Sequence, residues 1–263
     1  MMLKRFIAIV FLVVLAFTEL AGTGFTADTR SSGNLEFLCA PAMRNPIEEM
    51  LAKFKKDTGI RSQVSYGGSA ILLSQLKLNS HGDIFVPADR FYTDEAVKAG
   101  FAGEPRIFAY LVPVIMVQKG NKFKVHKLTD LMNPDIRVGL VDARTAAIGK
   151  VSAAVLKKNH INVDKMNVVY KATVVDELAN AIKLKSVDAV IIWKPVAILY
   201  TKDGDIINIP NDKNIVAPVS ACIVKTSTNK VIARKFMNYI MSKAGKAILA
   251  KYHYPASDPG KKK

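Results

Sequence analysis

Along most of the chain, short apolar runs alternate with longer stretches in which apolar residues recur every three or four positions, the pattern of strands feeding amphipathic helices. The run Leu35 to Cys39 predicts a strand, followed by the loop Ala40-Pro41-Ala42-Met43-Arg44. Asn45 at an N-cap with Pro46 in the first turn then opens a helix. Ile47, Met50, Leu51 and Phe54 give that helix one apolar stripe, and Gly59 ends it. A second unit spans Ile60 to Leu78, in which a strand through Val64 turns at Gly67-Gly68-Ser69 straight into a helix. A third strand is expected at Asp83-Ile84-Phe85-Val86-Pro87. The apolar segment Ile107 to Gln118 is long enough to pass from one lobe into another, with Pro113 at a hinge or sheet edge.

Beyond it the pattern restarts. Ile136 to Val141 reads as a strand, 142–145 as a turn, and Ala146 to Lys158 as a helix with Ile148, Val151 and Val155 on one face. Asn167 to Tyr170 is a further strand, leading into a short helix from Asp176 to Lys185. Asp188 to Trp193 is a buried strand, Ile215 to Val224 a return strand, and Lys230 to Lys251 a final helix. Strands alternating with helices predict parallel sheets with helices on their faces, which bind ligands beyond the carboxyl ends of the strands.

The turns of both halves share one chemistry. A helix leaves its first backbone N–H groups without intrahelical partners, and its dipole favours negative charge there. Ser69 either caps its helix or turns its hydroxyl, with the N–H groups beside it, toward a bound oxyanion. If the two halves face each other, the N–H groups near Ala42, Ser69, Ala146 and Val175 converge, and they can hold a tetrahedral oxyanion through several oriented donors.

Composition narrows the class. The chain has 263 residues, half of them hydrophobic, enough for one large domain or two lobes with a substantial core. Lys4 and Arg5, the apolar run Phe6 to Phe17, and small residues near Ala21-Gly22-Thr23-Gly24 and Ala27 predict a secretory signal peptide over residues 1–27 and a periplasmic mature protein. No cysteine follows that run until Cys39, which argues against a lipid anchor. Cys39 and Cys222 either pair in an oxidising compartment or remain small buried hydrophobes. The four histidines lack ligand spacing, so no metal or cofactor is expected. The net charge of +16 is carried by scattered lysines; with an export signal this argues against nucleic acid and leaves solvated faces or attraction of small anions. Asp83 and Asp89 have no nucleophile or histidine beside them, and Gly-x-Ser-x-Gly and HExxH motifs are absent, so no enzyme is expected.

Order and spelling of the segments add a resemblance. The pieces that carry it are Leu35 to Gly59, Ser65-Tyr66-Gly67-Gly68-Ser69 with Leu72 and Gln75, Val138-Gly139, Asp188 to Trp193 and, most specifically, Gly82-Asp83-Ile84-Phe85-Val86-Pro87-Ala88-Asp89. Over nearly all of the mature chain it resembles the molybdate-binding proteins that serve ABC importers, a branch of the periplasmic solute-binding proteins.

The resemblance implies an α/β, two-lobed, type II-like binding protein, each lobe a mostly parallel sheet flanked by helices, with the ligand in the cleft. Lobe 1 is expected at 28–110 plus 225–263, and lobe 2 at 111–224. A monomer delivering molybdate or tungstate to a membrane permease is implied; sulfate, phosphate or a small organic anion, a ligand-sensing module, or an extracytoplasmic enzyme are the alternatives. Ser69 falls on a family serine that hydrogen-bonds the oxyanion. Ala42 replaces a second such serine and keeps only its N–H. Ala146 and Val175 fall on positions that act through backbone N–H groups, and Gly68 belongs to the same turn as Ser69. Trp193 stands where the family has a tyrosine, although as an aromatic ending an apolar strand it also reads as core. Arg44 is new at the mouth of the first helix, where it is either a surface residue or a fork for phosphate-like or carboxylate oxygens.

Overall fold

The computed structural model describes residues 34–260. The expected signal peptide lies outside them. Among the described residues, ten strands form two five-stranded sheets of one design. The first contains β1 (Leu35–Cys39), β2 (Ser62–Tyr66), β3 (Ile84–Val86), β4 (Arg106–Leu111) and β10 (Ala217–Ile223), in the order β2-β1-β3-β10-β4. The second contains β5 (Pro113–Gln118), β6 (Val138–Val141), β7 (Val168–Ala172), β8 (Ala189–Trp193) and β9 (Gly204–Asn208), in the order β7-β6-β8-β5-β9. In each sheet a single strand, β10 or β5, runs against the other four, so both are mostly parallel.

The reversed strand is where the chain changes lobe. The expected long strand 107–118 is two strands, with Val112 between them: β4 is the edge of the first sheet and β5 the reversed strand of the second. Pro113 opens β5, where its missing N–H is tolerated. The return passes in mirror fashion from edge strand β9 to reversed strand β10. The expected boundary at 224 therefore needs correction: β10 pairs with β3 and β4, so the crossing back precedes Ala217 and not Lys225. An apolar return strand reads alike in either lobe, and only its pairing partners assign it.

Helices cover both sheets: α1 (Arg44–Thr58), α2 (Ser69–Asn79), α3 (Arg90–Lys98), α7 (Lys230–Met241) and α8 (Lys243–Lys251) with the first sheet, and α4 (Ala147–Lys158), α5 (Val175–Lys183) and α6 (Lys194–Leu199) with the second. The stripe Ile47, Met50, Leu51 and Phe54 is buried as its spacing predicts, and Phe236 of α7 meets Phe37 and Phe54 edge-on at 4.9 and 5.2 Å. Gly59 ends α1 in the left-handed region at φ 74°, which glycine adopts without steric cost. The start of α1 differs from expectation. A 3-10 turn at Pro41–Met43 leads in, the cap is Met43 without a side-chain bond, and Asn45 and Pro46 lie inside the first turn. The expected final helix is broken at Ser242, whose hydroxyl accepts the Gly245 N–H at 3.2 Å and restarts it as α8.

A buried aspartate is used twice in the same way. Asp83, just before β3, accepts the Glu36 N–H of β1 at 2.8 Å and the Ser227 hydroxyl at 2.6 Å. Asp188, just before β8, accepts the Arg137 N–H ahead of β6 at 3.0 Å and the Arg137 guanidinium at 2.9 and 3.1 Å. Each locks the amino end of its sheet, opposite the end from which the turns emerge. Asp89 caps α3 through the Phe91 N–H at 2.8 Å. All three aspartates hold backbone or side-chain donors in place. Cys39 and Cys222 are buried free thiols, and burial pushes both pKa values up.

Candidate functional site

Of the four helices whose turns were expected to converge, three have no acidic residue in their first turn: α1, α2 and α4. Their N-terminal partial charges are thus uncompensated by nearby carboxylates on the same helix. The fourth, α5, carries Asp176 and Glu177 there, and Glu177 takes the Thr173 N–H at 2.8 Å.

Ser69 is the first residue of α2 and 1% exposed. It does not cap the helix, whose cap is Gly68 and lacks a side-chain bond. Its hydroxyl oxygen accepts the Ala88 N–H from the other side of the turn at 3.1 Å. A hydroxyl used as an acceptor keeps its own proton for donation. Ala88 and Asp89 belong to the Gly82 to Asp89 string, so two segments distant in sequence meet at this oxygen.

The two lobes touch directly at the Gly-Gly-Ser turn. The Ala70 N–H of α2 donates to the Thr145 carbonyl at 3.1 Å. A Cβ on Gly68 would overlap that same carbonyl oxygen and crowd the Ala146 methyl, so glycine is what permits the approach. Thr145 is itself fixed by hydroxyl bonds to the carbonyls of Asp142 and Thr173, at 2.9 and 2.8 Å. Ala146, buried, is the cap of α4, with a long 3.5 Å N–H bond to the Asp142 carbonyl. Val175, buried, is the first residue of α5.

The Ala42 turn packs against α5, which brings the remaining pair of turns together. Ala42 is buried, and its carbonyl accepts the hydroxyl of Tyr254 from the carboxyl-terminal segment. Arg44 spans the mouth. Its guanidinium lies 3.7 Å over the Tyr66 ring and 3.9 Å from both Glu48 on its own helix and Asp176 on the other lobe. Tyr66 in turn donates to Glu48 at 3.1 Å. Burial raises the Asp176 pKa, and the Arg44 charge opposes that rise. A second cation crosses farther along: Lys150 of α4 sits over the Phe91 ring of α3. Desolvation lowers its pKa while Asp89 opposes. Trp193 ends β8, caps α6 and is 1% exposed, which fits the core reading of an aromatic that closes an apolar strand.

Six of the residues expected from the sequence thus lie along the lobe junction, Ala42 with Val175, Gly68 and Ser69 with Ala146, and Arg44 across the mouth, whereas Trp193 belongs to the hydrophobic core. The sequence reading did not single out Thr145, Tyr66, Asp176 and Tyr254 as parts of this junction. Their positions depend on the apposition of two lobes, and no local pattern announces it.

Two similar α/β lobes, crossed twice by the chain and meeting helix N-terminus to helix N-terminus, define a ligand-binding protein of the cleft type. The family model of the bacterial extracellular solute-binding proteins matches residues 35–255, and the chain belongs to that family. It is a solute-binding protein, not an enzyme. Among relatives, the "Molybdate-binding protein ModA" of Mycobacterium tuberculosis is 23% identical over 223 residues, 84% of each chain. A solved periplasmic molybdate-binding protein of Azotobacter vinelandii superposes with a TM-score of 0.76 at 19% identity, over 86% of this chain and 100% of that one. The sulfate-binding protein SubI of Mycobacterium tuberculosis gives the same TM-score, 0.76, at 17% identity, over 86% and 88%.

Proposed function

We propose that this protein binds a small tetrahedral oxyanion, molybdate or tungstate first, between its lobes, and presents it as a monomer in the periplasm to an ABC permease. The observation that carries this reading is the buried Ser69 hydroxyl. It is held by the Ala88 N–H with its proton still available, at the start of a helix without a first-turn carboxylate. Backbone N–H groups at Ala42, Ser69, Ala146 and Val175 supply the remaining donors, so specificity comes from donor number and cavity size. Relatives named for molybdate support the choice of anion.

A second reading, sulfate, phosphate or a small organic anion, is favoured by Arg44. One hydroxyl donor is replaced by Ala42, while a forked guanidinium stands at the mouth. In this reading Arg44 takes ligand oxygens bidentately. In the first reading it only bridges the lobes through Asp176.

Thermal unfolding and calorimetric titration with molybdate, tungstate, sulfate, phosphate and small carboxylates test both. A ligand present at about a hundred times its Kd stabilises the native state by about 2.7 kcal/mol, so the true ligand raises the melting temperature visibly. Molybdate and tungstate are expected to do so. A panel without any shift would overturn the oxyanion reading. Arg44→Ala is expected to weaken all ligands alike if the residue bridges the lobes, and to abolish a preference for phosphate or carboxylate if it touches them.

A further inference from the structure

At the far pole of the first lobe, away from the strand ends that carry the turns, lies a cavity of about 380 Å³. It is placed there by register: Ile223 of β10 pairs with Ile84 at the start of β3, and Arg106 at the start of β4 pairs with Ala221. Its floor is apolar, with buried Val224 and Met237. Its rim carries Arg106, Lys225, Lys230 and Arg234, against a single carboxylate, Glu104, among the described residues. Lys230, Arg234 and Met237 are spaced i, i+4 and i+7, so one face of α7 supplies two cations and part of the floor. Arg106 is steadied by its 2.7 Å bond to the Asn238 side-chain oxygen.

Four like charges around one concavity repel one another, and an anion seated among them relieves that repulsion. The floor demands more than an inorganic ion. A cavity of this size, mostly apolar with a few convergent polar groups, suits an organic molecule. We propose that this pole binds an amphiphilic anion, a carboxylate or sulfonate head on an apolar body, with the head against Lys230 and Arg234 and the body over Val224 and Met237. The site is separate from the cleft and does not depend on which oxyanion the cleft takes.

The test uses the mature protein and anilinonaphthalene sulfonate as a fluorescent probe, with decanoate as competitor. Saturable one-to-one binding is expected, displaced by decanoate and indifferent to molybdate. In the Lys230→Ala, Arg234→Ala double variant probe affinity should fall at least about tenfold, the scale of one to two lost charge-assisted contacts. Both residues are exposed, and an unchanged melting temperature will show that the variant folds. Three results overturn the proposal: no saturable probe binding, equal affinity in the double variant, or displacement of the probe by the oxyanion that fills the cleft.

Discussion

Ser69 combines two tasks in one oxygen. It accepts the Ala88 N–H, which fixes the Gly82 to Asp89 string against the turn, and in the proposed function it donates its proton to the anion. Ser69→Ala removes both. A hydrogen bond to a charged group contributes about 1.5–3 kcal/mol, so titration calorimetry is expected to show oxyanion affinity falling about tenfold or more. The ligand-free protein should lose about 1 kcal/mol through the orphaned Ala88 N–H, seen as a lower midpoint in urea. Ser69→Cys, of similar size but a weaker donor, should restore packing without restoring affinity. Equal oxyanion affinity in Ser69→Ala and the parent would remove this hydroxyl from the site. Asp176 belongs to the same scale. Burial raises its carboxyl pKa, and the Arg44 guanidinium 3.9 Å away opposes that rise in part.

At the level of elements, the decisive contact is between the amino end of α2 and the loop before α4. Gly68→Ala is locally acceptable, since φ at this residue is −59° and ψ 142°, but the new methyl overlaps the Thr145 carbonyl. The variant should fold normally yet hold the lobes apart. The expected signs are a weaker response of melting temperature to every ligand and a larger radius of gyration by small-angle scattering in the presence of saturating anion. A closed, tightly binding Gly68→Ala variant would show that the Thr145 contact is dispensable. The seat of Lys150 on the Phe91 ring is a second contact between the lobes, from α4 to α3. Element ends also show where pattern reading slips. Ser242 looks like any polar residue within an amphipathic stretch, yet its cap splits α7 from α8. Arg90–Lys98 became a helix although its sequence drew no assignment, because Asp89 caps it and Tyr92, Thr93 and Ala96 bury one face.

For the molecule as a whole, stability is anchored at the outer ends of the sheets. Burial acts to raise the Asp188 pKa, but the Arg137 side-chain and backbone bonds outweigh it and hold the carboxyl below its usual value. A carboxyl depressed in the native state stabilises above its unfolded pKa and loses that contribution as pH falls through the native value. Asp188→Asn should therefore cost about 1–3 kcal/mol at neutral pH, with the gap from the parent narrowing as pH drops below about 4. Urea titrations at several pH values read this directly. A gap independent of pH would mean that shape, not charge, is what Asp188 supplies.

The elements themselves were legible in the chain. The stripe of α1, the Gly59 stop and the glycine-serine turn each rest on local periodicity or φ preference, and these act over a few residues wherever the chain goes. The α/β class followed from strand-helix alternation repeated on both sides of one long apolar segment, whereas the two-lobed design was what the family resemblance implied. Membership of β10 was not legible, because an apolar strand satisfies its ladder in either sheet. The partners of Arg44, the seat of Lys150, and the Thr145 carbonyl against α2 were not legible either. Each is a contact between residues far apart in sequence, fixed only when two lobes pack face to face. The sequence alone determined that helix N-termini would follow the strand ends, with a serine at one of them. Tertiary structure decided how closely they meet, since closeness depends on a backbone approach that Gly68 permits and on charges, Arg44 with Asp176, supplied from opposite lobes.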